Sequence, residues 1–89
     1  MYIHLKHFIW TPENIEHIAR HGIEPLEVEE TCYRHPLVLK GASHRYYLLG
    51  QTEAGRYLFV VMAYRGKGRA YTITARDMTP AERRRYERR

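Results

Sequence analysis

The chain has 89 residues, 44% of them hydrophobic, and a formal charge of +5 from fifteen Lys and Arg against ten Asp and Glu. That length leaves room for one core, so residues 1–89 read as a single domain, and the apolar content argues against intrinsic disorder. No run approaches the ~20 apolar residues of a membrane span, the opening segment is no signal peptide, and a lone cysteine, Cys32, excludes an internal disulfide. A cytoplasmic protein with no membrane partner is expected.

The first predicted element is a strand over Met1–Ile9, where Tyr2, His4, Lys6 and Phe8 alternate with Ile3, Leu5, His7 and Ile9. Thr11-Pro12-Glu13 then opens a helix over about 12–20, with Pro where its missing N–H costs nothing and Gly22 as the stop. Its Ile15, Ile18 and Ala19 are expected to face the core, and Trp10 is spaced to pack on Ile15. Glu24-Pro25-Leu26 opens a second helix over about 25–33, which buries Val28 and Cys32, exposes Glu27, Glu29 and Glu30, and ends before Pro36.

Three strands follow, Arg45–Gly50, Tyr57–Tyr64 and Ala70–Ala75, with turn residues at 52–55 and 66–68 between them. The middle one is apolar on both faces and suits a central place in a sheet. Thr79 and Glu82 spell a capping box for a final helix whose end is rich in Arg. The fold class is therefore α+β: an N-terminal strand, two helices, an antiparallel three-strand meander and a C-terminal helix, with the helices layered on one side of the sheet.

Arg outnumbers Lys, which occurs only at Lys6, Lys40 and Lys67. The planar guanidinium pairs with phosphate in bidentate fashion, so this choice suits a polyanion, RNA first among them. Arg65, Lys67 and Arg69 cluster in one hairpin, while Arg45 opens a strand and Arg76 closes one. The hairpin group and the pair Arg45 and Arg76 are expected in different regions, and the sequence leaves open which of them converge. Tyr46, Tyr47, Tyr64 and Tyr71 are interleaved with these charges, as base stacking requires, although at least half of them are expected to be core tyrosines with wet hydroxyls.

Enzyme signatures are otherwise sparse. Gly66-Lys67-Gly68 is too short for a phosphate-binding loop, and Ser43-His44 sits in no nucleophile elbow. Glu13, His17 and His21 share a helix face but offer no third firm metal ligand, so neither metal nor cofactor is expected and the set reads as a solvated face. Cys32, among apolar neighbours, reads as inert.

Phe8-Ile9-Trp10, then Arg20-His21-Gly22-Ile23, then Glu27-Val28 resemble the opening of BrnT-type toxins. Ile73-Thr74-Ala75-Arg76, with Met78-Thr79, Glu82-Arg83 and Tyr86, resembles that family's close. The resemblance implies a RelE/ParE-related fold, ribonuclease activity within a type II toxin–antitoxin pair, and two partners, RNA and a cognate antitoxin that binds operator DNA. A homodimer and a hetero-oligomer with the antitoxin both fit. The match assigns Arg76 and His21 to the family's motifs, and Arg45 to an arginine near the second strand. Thr11 stands where the family often has Asp, and Asn14 near the place of a helix-one Lys.

Cleavage of RNA can proceed without metal, through attack of the 2′-hydroxyl on the adjacent phosphate. Arg45 and Arg76 are the expected stabilisers of negative charge, His17 or His21 the base, with Tyr71 or Tyr86 less apt. Arg65, Lys67, Arg69, Arg83 and Tyr86 are the expected RNA contacts. The alternative is a catalytically inactive toxin-like interaction module held by a DNA-binding antitoxin. A DNA-binding accessory protein is disfavoured because no helix-turn-helix is apparent.

Overall fold

In a computed structural model, which describes residues 4–89, the chain runs β1 (His7–Ile9), α1 (Pro12–Ala19), α2 (Pro25–Tyr33), β2 (Leu37–Lys40), β3 (Arg45–Gln51), β4 (Tyr57–Tyr64), β5 (Arg69–Asp77) and α3 (Pro80–Glu87). Each helix begins at one of the three expected prolines. Thr79 and Glu82 form the expected box, with Thr79 N–H donating to Glu82 Oε1 at 2.8 Å. At the end of α1, Gly22 takes a φ of 70°, and Ile23 N–H reaches back to Ile18 C=O at 3.1 Å. That left-handed stop turns Ile23 into the core, as a glycine after a helix permits.

The five strands order as β1-β5-β4-β3-β2, with β1 parallel to β5 and the rest antiparallel. β4 is central, as its two apolar faces implied. The expected meander gains a further strand, Leu37–Lys40, paired with Tyr46–Leu49 along the sheet edge. The N-terminal strand is shorter than expected: pairing begins at His7, and Met1–Ile3 lie outside the described residues.

One face of the sheet carries Leu48, Leu58, Val60, Met62, Ala70 and Ala75, which close a core with Ile18, Ile23 and Val28 of the α1–α2 layer. Burying side chains of this size contributes about 1.5–3 kcal/mol each. At Gly50 an added Cβ would stand 3.0 Å from Thr31 Cβ, so the missing side chain lets α2 settle on β3. The helix-one stripe differs from expectation. Ile15 and Ala19 are exposed, while Asn14 is buried beside Ile18. Asn14 and Thr11 cap each other (Thr11 N–H to Asn14 Oδ1, 2.7 Å), and Asn14 Nδ2 donates to Ile9 C=O at 2.9 Å. With its polar atoms satisfied, the amide is buried at little cost.

α3 departs from the expected one-sided layering and lies on the opposite face. Tyr86, buried, meets Tyr57 edge to face at 6.0 Å, and Tyr57 points away from its core-facing neighbour Leu58. The apolar second face of β3 and β4 requires such a cover.

One irregularity decides which way β5 points. Val61 pairs with Thr74, yet the next residue, Met62, pairs with Thr72, leaving Ile73 as an extra residue. Such a bulge shifts the alternation by one. Ala70 and Thr72 are buried before it, Ala75 after it, and Thr74 and Arg76 therefore look out on the α3 side.

Candidate functional site

Arg76 sits opposite Phe59 in register, and its guanidinium lies 4.2 Å from the centre of that ring. Glu82 grips one edge, accepting from Nη1 at 2.8 Å and Nη2 at 2.9 Å, while Nη1 also donates to Asp77 C=O at 3.0 Å. Of the five guanidinium donors, those on the Nε–Nη2 edge are left uncommitted by these bonds. The pairing holds the Glu82 carboxyl below its ordinary range and raises the guanidinium. Arg76 is thus flat, charged and fixed, with a bidentate edge free and 38% of its side chain exposed. Phe59 in turn stacks on Tyr47 at 5.9 Å with 14° between planes, continuing the aromatic surface toward β3.

α1 runs past the β5 edge where β1 has ended. His17 Nε2 lies 3.0 Å from Thr74 Oγ1, one alternation step from Arg76 on the same face. His17 and His21 rings are 5.9 Å apart, and the Asp77 carboxyl, held low chiefly by its hydrogen bond from Arg56, also feels His21. The Glu13–His17–His21 face is therefore only partly solvated, because His17 turns to the sheet. Among the described residues no group of three or more His, Cys, Asp or Glu could hold a metal ion.

Arg56 was not singled out from the sequence, yet it holds the lower end of the sheet together. Its Nε donates to Asp77 Oδ1 at 2.8 Å, Nη1 to Gly22 C=O at 2.8 Å, and Nη2 to His21 C=O at 3.2 Å, with Glu27 at 3.4 Å. One side chain thus satisfies carbonyls just beyond α1, a carboxylate of α2 and the end of β5. Its partners come from distant positions, so no local pattern announces it.

Arg45 does not join Arg76. Strand geometry separates them by roughly 16 Å, two strands across and four residues along. Arg45 instead belongs with the hairpin group. The 41–44 and 65–68 connections share the upper end of the sheet, where Tyr64 N–H donates to His44 C=O at 2.9 Å. Arg65, Lys67, Arg69 and Arg45 are all exposed there. The Arg65 guanidinium lies 5.4 Å from the centre of the Tyr71 ring, which places Tyr71 at this end too. Tyr46 and Tyr64 pack edge to face at 6.2 Å, and Tyr64 Oη accepts from Gly68 N–H, so these two are structural.

Arg83 stacks on Tyr57 at 3.9 Å and Arg89 on Tyr86 at 3.8 Å. Tyr86 is only 5% exposed, so its ring anchors α3 and is not offered to a base, contrary to its expected RNA contact. Burial pushes the Cys32 thiol up to about 12, far from a reactive thiolate. Among the described residues no helix is long and apolar enough to cross a membrane.

Residues 10–82 match the family model described as the BrnT ribonuclease toxin of type II toxin–antitoxin systems. The fold is similar to that of the Brucella abortus ribonuclease toxin BrnT, solved by crystallography, with a TM-score of 0.66 at 20% identity over 82% of this chain and 96% of that one. Among curated protein sequences, none matches this chain.

Proposed function

The chain belongs to the BrnT family of ribonuclease toxins, and from that premise we propose that it cuts RNA without a metal, at the face shared by Arg76 and His17. The observation that carries the reading is the free Nε–Nη2 edge of an arginine already fixed on Phe59 by Glu82. A fixed cation stabilises charge that develops on a phosphate better than a mobile one, because it need not reorganise during the reaction. In the step envisaged, the 2′-oxygen bonds to the adjacent phosphorus as its proton passes to an imidazole. The 5′-oxygen leaves and takes up a proton, giving a 2′,3′-cyclic phosphate. His17 is the nearer base, two residues along β5 from Arg76 through Thr74, with His21 behind it. The protein would work in the cytoplasm against a cognate antitoxin.

Incubation with total RNA in EDTA, beside Arg76→Ala, tests this. Removal of one preorganised donor of this kind costs about 10²–10³ in rate. Cleavage unaffected by Arg76→Ala overturns the assignment. A second reading, an inactive module bound to a DNA-binding antitoxin, is supported by Asn14. The position near the family's helix-one Lys is here a buried cap with no charge to offer. Growth arrest on expression without the antitoxin supports only the nuclease.

A further inference from the structure

The ten carboxylates fall on α1, on α2 and the residue before it, on the 52–55 turn, at the end of β5 and on α3. None lies in the upper connections. There Lys6, Lys40, Arg45, Arg65, Lys67 and Arg69 are exposed, with His7 and His44 beside them. The pairing lines them along this end of the sheet, from Lys6 beside β5 to Lys40 at the β2 edge: Lys40 opposite Tyr46, Gly41 N–H to Arg45 C=O at 2.8 Å, Arg65 N–H to Arg69 C=O at 2.8 Å, and Lys6 N–H to Gly68 C=O at 2.7 Å. None of these six enters an ion pair among the described residues. Arg69 is held by the carbonyls of Gly66 and Arg65, contacts that position its charge without neutralising it. Like charges gathered with no counterion raise the local potential and cost stability unless an anion arrives.

From this end a strip of half-buried rings runs down the α3-side face, Tyr71 beneath Arg65, then Tyr47 stacked on Phe59, then Arg76. Rings along such a strip can stack on unpaired bases, which a paired duplex does not present. We propose that the upper end is a second, non-cleaving phosphate subsite that grips single-stranded RNA more than one nucleotide from the bond held at Arg76. The idea rests on the cleavage centre assigned above, and it adds a requirement for substrate length that the centre alone does not impose.

Binding of a hexanucleotide with 2′-O-methyl groups, which cannot be cut through the 2′-oxygen, isolates this subsite from catalysis. Fluorescence anisotropy on the full chain would compare wild type with Arg65→Gln/Lys67→Gln/Arg69→Gln. Loss of three phosphate contacts should weaken binding by about a hundredfold near 0.1 M salt and make the salt slope shallower by about 2. The advantage of the hexanucleotide over a dinucleotide should collapse in the same variant. Should the triple variant fold poorly, Lys67→Gln alone should lose about fivefold. Unchanged affinity and slope would overturn the subsite whatever Arg76→Ala does to cleavage. Equal affinity for duplex RNA would overturn its single-strand character. Loss of hexanucleotide binding with no RNA cleavage by wild type would keep the subsite and reject the nuclease.

Discussion

At the lower end of the sheet Arg56, Arg76 and Arg83 each meet a carboxylate, whereas at the upper end Arg45, Arg65, Lys67 and Arg69 meet none among the described residues. Arg76 and Arg83 also lie over aromatic rings, and Arg56 closes onto backbone carbonyls. The same residue type is a fastener in one place and an unpaired charge in the other. Only position in the fold distinguishes them, and the difference separates residues that maintain the site from those that wait for a ligand.

The comparison would be broken most directly at Arg56. Arg56→Met should cost about 2 kcal/mol once solvent exposure of the pairs is discounted. For a chain of this size that lowers Tm by on the order of 10 °C in a thermal melt. An unchanged Tm would mean the lower cations are no more structural than the upper ones.

Glu82→Gln keeps the shape of the Arg76 clamp and removes its charge, so about 1 kcal/mol should be lost, read from a urea midpoint. The pH dependence sharpens the point. Arg56 holds Asp77 low and Arg76 holds Glu82 low. A carboxylate depressed in the folded state stabilises above its unfolded value, and that stability disappears as pH falls through the acid range below about 4. Tm should therefore drop on acidification, and less steeply in Asp77→Asn/Glu82→Gln.

Lys67 has a φ of 55°, a conformation that costs a side chain about 1 kcal/mol and a glycine little. Lys67→Gly should therefore gain about 0.5–1 kcal/mol while weakening RNA binding, the opposite signs expected where fold and ligand compete. Arg45→Gln, with no carboxylate to lose, should shift stability by no more than about 0.5 kcal/mol. A larger loss would show that this end is braced by its charges as well.

The helix starts were legible because proline and the caps act within four residues. Leu37–Lys40 was not, since a four-residue apolar run after Pro36 has no period of its own and becomes a strand only by pairing with β3. Asn14 reads as a surface residue until Thr11 and Ile9 are placed around it. For the candidate site, residue types were legible and grouping was not. Arg45 and Arg65 are twenty positions apart in sequence, yet both stand at the upper end. Arg76 was expected in company with Arg45, and its true companions are Phe59, Glu82 and, through Thr74, His17.

Strict alternation along Ala70–Ala75 carries Arg76 onto the face of Ala70 and Thr72, inside the core. The extra residue Ile73 is what brings it out. A chain lacking only Ile73 would keep every candidate catalytic side chain, nearly the same composition and the same order of elements. It would also keep every facing, because Thr74 would then follow Thr72 directly, with Thr74 and Arg76 outward and Ala75 inward as they are now, and only the bulge would be lost. Insertions and deletions in this strand are therefore not interchangeable with substitutions: the bulge absorbs the loss of one residue, and the loss of a second would turn Arg76 toward the core while leaving it in the sequence.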